Sequence, residues 1–193
     1  MLNKKKILIS IVFFVFFFPI SLAHAELKEK LINNIKNTQT LFFNFKQKIS
    51  ENVEVGNCYI KYPMLIKCDY NDSFKKRLIS NGKTLAIIQR RYKKIFYYRL
   101  KSTPLYFILD KKFLINFIEK NEPTNISNFS IEFEIRTKNK KKIIIIFDRD
   151  SLNLKGWNTS DLYNNKVEFS ILNLKTNILI DNNNFKIPKE EDL

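Results

Sequence analysis

The sequence predicts a mainly β (α+β) fold, built on one large antiparallel sheet with an amino-terminal helix. Three observations support this prediction. Apolar and polar residues alternate along many short segments, turn residues separate these segments at close spacing, and only two helical segments interrupt them. A parallel α/β fold would instead need a helix between successive strands. No linker or repeat is visible, so we expect a single domain.

The first 25 residues have the pattern of a cleavable secretory signal, with a basic start, an apolar run and a small-x-small cleavage site. These parts are Lys4 to Lys6, Ile7 to Leu22 and Ala23 to Ala25. The apolar run is too short and wrongly flanked for a good membrane span. We therefore predict an exported domain of residues 26–193 after removal of residues 1–25.

The only histidine, His24, lies within this signal. The mature protein would have no imidazole, which excludes a serine-histidine triad and histidine metal ligation. Glu132 and Glu134 alternate with apolar residues, as expected for an exposed strand face rather than an acid/base pair. The three glycines form no phosphate-binding loop. We predict that the protein is not an enzyme and that it needs no cofactor and no metal.

The net charge leaves two interpretations open. Cleavage would remove three lysines and no acidic residue, which lowers the formal charge from +15 to +12. Such a charge suits nucleic acid, anionic lipid or an acidic partner, and it also follows from a composition rich in lysine, asparagine and isoleucine. Because the lysines are dispersed and arginine is scarce, solvated faces are favoured, and nucleic acid is not expected.

The secondary-structure elements are predicted from the spacing of apolar residues, which changes along the chain. Leu27, Leu31 and Ile35 recur at helical spacing, which predicts a helix over Glu26–Thr38. Ser102 to Pro104 are expected to cap the first of two helical segments. Those segments are Leu105–Asp110 and Phe113–Ile118. The predicted strands include Leu41–Ile49, Thr84–Gln89, Ile95–Leu100, Phe129–Arg136, Lys142–Asp148, Leu152–Trp157 and Lys166–Lys175, with a final short stretch at Phe185–Ile187.

Two cysteines flank a predicted hairpin turn. Folding the chain symmetrically about Pro63 opposes Ile60 with Ile66 and Cys58 with Cys68. Directly opposed residues on antiparallel strands lie within disulfide reach, and an exported protein meets oxidising conditions. This pattern predicts a disulfide between Cys58 and Cys68, with two buried thiols as the alternative.

Aromatic residues are abundant on the alternating strands, with 18 phenylalanines and eight tyrosines in the whole chain. They could form an ordinary packed core. They could also form a concave apolar surface that receives a ligand, with the central helical segments as its cover.

An ordered set of short motifs resembles the periplasmic outer-membrane lipoprotein carrier family, LolA. The stretch Leu78–Leu85 resembles the family's "lvsdGktl" hairpin, and Phe45 with Gln47 resembles its F-x-Q first strand. Further similar segments span nearly the whole mature chain. They are Gly56 to Tyr70, Ser102 to Leu105, Gly156 to Trp157, Asp161, Val167 to Phe169, Asn173 to Leu174 and Phe185.

This resemblance implies an unclosed antiparallel β-barrel whose apolar interior holds the acyl chains of lipoproteins as they cross the periplasm. The cavity wall would include Phe43, Phe45, Ile60, Tyr62 and Ile66. The lid would include Leu105, Phe107, Ile108 and Leu109, and plain core packing is the alternative for each. The implied partners are acylated lipoproteins, an inner-membrane ABC-type releasing complex and an outer-membrane acceptor, and we expect a monomer.

The chain departs from the family immediately before the turn proline, Pro63, where many members carry an arginine that bonds to the helical cover. Tyr62 occupies that position here. Either its hydroxyl takes the bonding role or closure relies on apolar contacts.

Two rival functions remain. One is an outer-membrane receptor of the same fold, disfavoured because no lipobox cysteine follows the signal. The other is a cell-envelope module that binds anionic glycolipid or polysaccharide through its lysines.

Overall fold

The computed structural model describes residues 19–137, 142–161 and 164–193, which form three α-helices, four short 3-10 helices and eleven strands. The α-helices are α1 (Pro19–Asn37), α2 (Leu105–Leu109) and α3 (Lys111–Lys120). The strands are β1 (Thr40–Ile49), β2 (Asn52–Lys61), β3 (Leu65–Tyr70), β4 (Lys76–Asn81), β5 (Thr84–Gln89), β6 (Lys94–Arg99), β7 (Asn125–Ile126), β8 (Ser130–Arg136), β9 (Lys142–Asp148), β10 (Leu154–Ser160) and β11 (Lys166–Thr176).

All eleven strands belong to one antiparallel sheet, as predicted. Their spatial order is β6-β5-β4-β3-β2-β1-β11-β10-β9-β8-β7. Among the described strands, only the β1–β11 pair joins strands that are distant in sequence, and it holds the two halves of the sheet together. Strands β6 and β7 stand at opposite edges and do not pair, so the barrel is unclosed.

The segment between the two edge strands has a special position in this topology. The chain leaves β6 at Arg99, forms α2 and α3, and then enters β7 at Asn125. Because β6 and β7 are the two edges of the sheet, the connection between them crosses the opening of the barrel. The helical cover is therefore placed by the strand order.

The main apolar core lies on the concave face of the sheet, under α1, α2 and α3. Alternate strand residues supply it because successive side chains point to opposite faces. A smaller core lies on the outer face, where Ile187 and Leu193 pack against Ile79, Ala86, Ile88 and Ile95. The carboxyl-terminal segment thus covers the outside of β4 to β6.

Several local predictions need correction. Helix α1 begins at Pro19 and not at Glu26, and most of the predicted signal, residues 1–18, lies outside the described residues. Strand β10 begins at Leu154 because residues 148–152 form a turn, in which the Asp148 carboxylate accepts a hydrogen bond from the Ser151 N–H.

Two further corrections concern segments outside the sheet. The Ser102–Thr103 cap is wrong, since the Thr103 hydroxyl donates to the Leu100 carbonyl and Pro104 occupies the cap position of α2. Phe185 lies in a 3-10 turn, Asn182–Phe185, and not in a strand. Within residues 19–137, 142–161 and 164–193, no helix has the length and apolar character needed to cross a membrane.

The hairpin of β2 and β3 has the register that the sequence predicts. Cys58 pairs with Cys68 and Ile60 pairs with Ile66. The two Sγ atoms lie 1.98 Å apart as a disulfide, and both cysteines are buried on the concave face.

We expect this disulfide to be present in protein recovered from the periplasm. Closing a loop with a sequence separation of 10 residues should stabilise the fold by about 2–3 kcal/mol, because it restricts the unfolded chain. Alkylation of the native, unreduced protein followed by mass spectrometry should find neither thiol modified. Reduced and unfolded protein, as the control, should be modified at both. Two labelled thiols in the native protein would contradict the prediction.

Candidate functional site

The concave wall is organised around a row of stacked aromatic rings from four strands. The Phe169 ring stacks on Trp157 at 3.9 Å between centroids and on Phe45 at 4.9 Å. The Phe45 ring in turn meets the edge of Tyr70 at 4.9 Å. Phe43 adds an edge-to-face contact with Phe169 at 6.2 Å. These rings make a continuous apolar surface across β10, β11, β1 and β3.

Gly56 makes room for this row on β2, which lies between β1 and β3. A Cβ atom at this position would stand 2.7 Å from Cε1 of Phe45 and 2.1 Å from the Asp69 carbonyl oxygen. Contacts this short do not occur in folded proteins, so any side chain here would displace the ring or the strand. The glycine is therefore a packing requirement of the wall.

The predicted wall residues all belong to this region. Phe43, Phe45, Ile60 and Ile66 are buried, each with 1% or less of its surface exposed. Tyr62 lies just beyond the end of β2 and is partly buried against the same core.

The lid lies directly on this wall. Ile108 and Leu109 are fully buried, and Leu105 and Phe107 are partly buried against the same core. Helix α3 adds Leu114 and Ile118, which are also buried. All four predicted lid residues therefore pack in one apolar cluster with the wall.

Directional contacts between the lid and the rest of the protein are concentrated near the β2–β3 turn. The Met64 N–H donates to the Leu109 carbonyl at 3.2 Å. The Lys111 ammonium donates to the carbonyls of Lys36 and Thr38, both at 2.7 Å. Since α1 ends at Asn37, Lys111 also satisfies carbonyls at the carboxyl end of that helix.

We call these contacts of Met64 and Lys111 the lid anchor. Tyr62 supports the lid anchor through its ring and not through its hydroxyl. The Lys111 Nζ atom lies 5.7 Å from the ring centroid, within the range of a cation–π contact. Burial raises the pKa of the Tyr62 hydroxyl, and burial lowers the pKa of the Lys111 ammonium. Among the described residues the hydroxyl has no hydrogen-bond partner. The structure thus favours closure by ring packing over closure by the tyrosine hydroxyl.

The predicted lid residues pack closely on the wall residues in this structure. A cavity of about 20 Å³ remains where α1, the lid and the sheet meet, beside Tyr62, Leu41 and Leu114. A cavity of about 10–15 Å³ already holds one water molecule, so this space has room for about one water and none for an acyl chain. A ligand could reach the wall only if the lid moved.

Polar groups border the concave face at the carboxyl end of β1. The Gln47 side-chain amide donates to Glu54 at 2.9 Å, and Glu54 also forms an ion pair with Lys76. The Lys76 Nζ atom lies 4.0 Å from the Tyr70 ring centroid. Burial, and then the nearby carboxylates of Glu54 and Asp72, raise the pKa of Tyr70. The apolar surface therefore ends at this group.

A strip of the concave face near the β6 edge stays uncovered. Ile87 pairs with Phe96, and Leu85, a member of the main core, pairs with Tyr98, which places these side chains on the concave face. Phe96 and Tyr98 are each 43% exposed. We call Ile87, Phe96 and Tyr98 the open strip. It extends the concave face from the core residue Leu85 to the β6 edge.

Sequence reasoning missed the role of Lys111, the Met64–Leu109 hydrogen bond and the aromatic row through Trp157 and Phe169. The β1–β11 register that stacks Phe169 on Phe45 joins segments far apart in sequence, so no local pattern predicted this contact. In the part of the chain that the structure describes, no group of three or more His, Cys, Asp or Glu side chains could hold a metal ion.

Comparisons with known proteins agree with this architecture. The family described as outer membrane lipoprotein carrier protein LolA matches residues 36–188. An outer-membrane lipoprotein carrier protein of Francisella philomiragia is 26% identical over 198 residues, which cover 91% of this chain and 92% of that protein.

Among solved structures, the fold recurs at low identity. An uncharacterized conserved protein from Thermus thermophilus superposes with a TM-score of 0.52 at 7% identity, over 86% of this chain and 95% of that one. A LolA superfamily protein from Nitrosomonas europaea gives a TM-score of 0.42 at 5% identity, over 83% and 97% of the two chains. Since the family match covers most of the sequence, the chain belongs to the outer membrane lipoprotein carrier protein family, LolA.

Proposed function

We propose that this protein is a periplasmic carrier that binds the acyl chains of lipoproteins against its concave face and moves them from the inner to the outer membrane. One observation carries the proposal: the apolar residues of the lid pack in a single cluster with the apolar wall beneath them. A wall of this kind would be exposed to water whenever the lid opened, so it needs either the lid or a ligand to cover it.

The magnitudes allow exchange of the lid for an acyl chain. Exposing the four buried lid residues Ile108, Leu109, Leu114 and Ile118 costs about 6–12 kcal/mol, at about 1.5–3 kcal/mol for each side chain. Burying an acyl chain of roughly a dozen carbons gains about 10 kcal/mol, at about 0.8 kcal/mol for each methylene. The gain from a single chain is therefore comparable to the cost of lid opening. The empty protein still keeps its wall dry by closing.

The open strip supports a route for entry. Phe96 and Tyr98 are exposed beside the buried wall, and the lid follows β6 directly in the chain. An acyl chain could contact these rings first and then displace Leu105 and Phe107, the two lid residues that are only partly buried. In this proposal Phe43, Phe45, Ile60, Tyr62 and Ile66 form the wall, and Leu105, Phe107, Ile108 and Leu109 form the lid.

Location and partners follow from the same proposal. The signal pattern of residues 1–25 would export the chain, and the family match supports a periplasmic carrier. An inner-membrane ABC-type complex would supply the acylated lipoprotein, and an outer-membrane acceptor would receive it. The chemistry is binding and release, with no bond made or broken.

The direct test is to purify the protein from its native periplasm and identify acylated protein bound to it by mass spectrometry. Binding through acyl chains should be almost independent of salt, because it does not rest on charge. The alternative, a module that binds anionic glycolipid or polysaccharide through surface lysines, predicts binding that falls steeply as salt rises. Recovery of an anionic glycan and no acylated protein would favour that alternative.

Phe45→Glu should abolish transfer while leaving a folded domain. The ring lies at the centre of the aromatic row and is 1% exposed, so a carboxylate there meets hydrocarbon unless water enters. A wall beneath a movable lid can admit that water, whereas a plain core cannot. We expect a cooperative thermal transition but no release of lipoprotein from inner-membrane vesicles.

Phe45→Leu is the matched control, because it keeps the site apolar and should retain transfer. An unfolded Phe45→Glu protein would support plain core packing. A folded Phe45→Glu protein that still carried lipoprotein would remove this residue from the site.

Lys111→Met should loosen the lid, because the ammonium donates two hydrogen bonds to α1 and the following residue. We expect a loss of about 1–2 kcal/mol in unfolding free energy and greater uptake of an apolar fluorophore. Tyr62→Phe should change the unfolding free energy by less than about 0.5 kcal/mol, since its hydroxyl bonds to nothing described.

Urea unfolding measures the change in unfolding free energy of each variant, and hydrogen exchange of the α3 amides measures how far the lid is loosened. Lys112→Met serves as the control, since Lys112 is the exposed neighbour of Lys111 on the same helix. If Tyr62→Phe loosened the lid more than Lys111→Met, the tyrosine hydroxyl would be the anchor after all.

A further inference from the structure

Two neighbouring turns form an exposed basic surface at the end of the strands opposite the lid anchor. One turn joins β3 to β4 and the other joins β5 to β6, and the Arg91 N–H bonds to the Phe74 carbonyl at 3.2 Å between them. The basic side chains are all exposed. They are Lys75, Arg90, Arg91, Lys93 and Lys94. We call them, together with Phe74 and Tyr92, the basic turn surface.

The charged side chains of this surface are unpaired within the part of the chain that the structure describes. Among the described residues none of them makes an ion pair or a side-chain hydrogen bond, whereas the neighbouring Lys76 is paired with Glu54. Asp72, the acidic residue within the β3–β4 turn, uses its carboxylate to accept the Lys76 N–H. Glu190, from the acidic carboxyl-terminal turn, accepts the Ile95 N–H at the flank. The uncompensated charge of this surface is therefore positive.

Two exposed aromatic rings lie among these basic side chains. Phe74 is 43% exposed, Tyr92 is 53% exposed, and their centroids are 5.8 Å apart. Phenylalanine has no polar group to satisfy, so its exposure at a turn tip favours a partner that is apolar as well as anionic. A bilayer interface offers both, since aromatic side chains settle at headgroup depth and anionic lipids attract lysine and arginine.

We propose that the basic turn surface docks the protein onto an anionic phospholipid bilayer. The cations contact the lipid phosphates, and the Phe74–Tyr92 pair enters the headgroup region. Lys94 begins β6, so Phe96 of the open strip lies two residues away along the same strand. Docking here brings the open end of the wall to the membrane that holds the acyl chains. This last consequence rests on the proposed carrier function, whereas the docking itself does not.

Vesicle co-sedimentation of the empty protein tests the proposal. The vesicles contain phosphatidylcholine alone or mixed with phosphatidylglycerol. The protein should bind the mixed vesicles, with affinity that falls as salt rises. The triple variant R90Q/R91Q/K94Q should bind them about a hundredfold more weakly, given the contribution of each basic residue near an anionic surface.

The matched control is K83Q/K101Q/K175Q, which removes the same charge from exposed lysines at the opposite end of the strands. It should bind vesicles nearly as the unchanged protein does. Equal weakening by the two triple variants would show that only net charge matters, and it would overturn the proposal.

The variant Phe74→Ser distinguishes binding to a membrane from binding to a soluble polyanion. We expect about tenfold weaker vesicle binding, because a partly inserted ring is lost. If Phe74→Ser bound vesicles like the unchanged protein, and dextran sulfate bound the surface equally well, the partner would be a polyanion and the membrane proposal would be wrong.

The carrier function and the docking surface can fail separately. Phe45→Glu should still bind vesicles, and R90Q/R91Q/K94Q should still retain a lipoprotein delivered from detergent. If the triple variant also lost lipoprotein delivered from detergent, its turns would not be a separate docking surface, and the proposal would be overturned.

Discussion

The open edge of the sheet is the constraint on which the rest of this structure depends. Strands β6 and β7 never pair, so the concave face cannot be sealed by hydrogen bonds between strands. That face carries most of the apolar side chains of the domain. Exposing it to water would cost more free energy than the net folding stability of a small domain. The chain that connects the two edges carries the cover, and the cover is apolar on the side that meets the sheet.

A rigid wall and a movable cover are built from different interactions. The wall is held by strand hydrogen bonds, the Cys58–Cys68 disulfide and the close packing that Gly56 permits beneath Phe45. The cover is held mainly by apolar contacts, which are non-directional and can be replaced by another apolar group. Its few directional contacts, from Met64 and Lys111, are concentrated near one turn. In the proposed carrier function, such an arrangement would let the cover move away while the wall keeps its shape.

The two ends of the sheet differ in character. At one end, Lys111 ties the lid to the last carbonyls of α1, and its charge is used within the protein. At the other end, the side chains of Lys75, Arg90 and Arg91 make no ion pair or hydrogen bond among the described residues. Composition alone could not show where the positive charge of the chain acts. Part of that charge is concentrated at these exposed turns. A carrier of hydrocarbon gains from this separation, because its apolar face and its charged face do not compete for the same ligand.

The sequence by itself determined the local parts of this protein. Alternation along the strands, the Asn81-Gly82 turn and the symmetry about Pro63 placed the hairpins and paired Cys58 with Cys68, because hairpin register depends on neighbouring residues. The ordered motifs placed the chain in its family. Only the tertiary structure decided that Phe169 stacks on Phe45, that Lys111 reaches α1 and that Tyr62 uses its ring. Those contacts join segments far apart in sequence, and their geometry depends on the twist and register of the whole sheet, which no local pattern records.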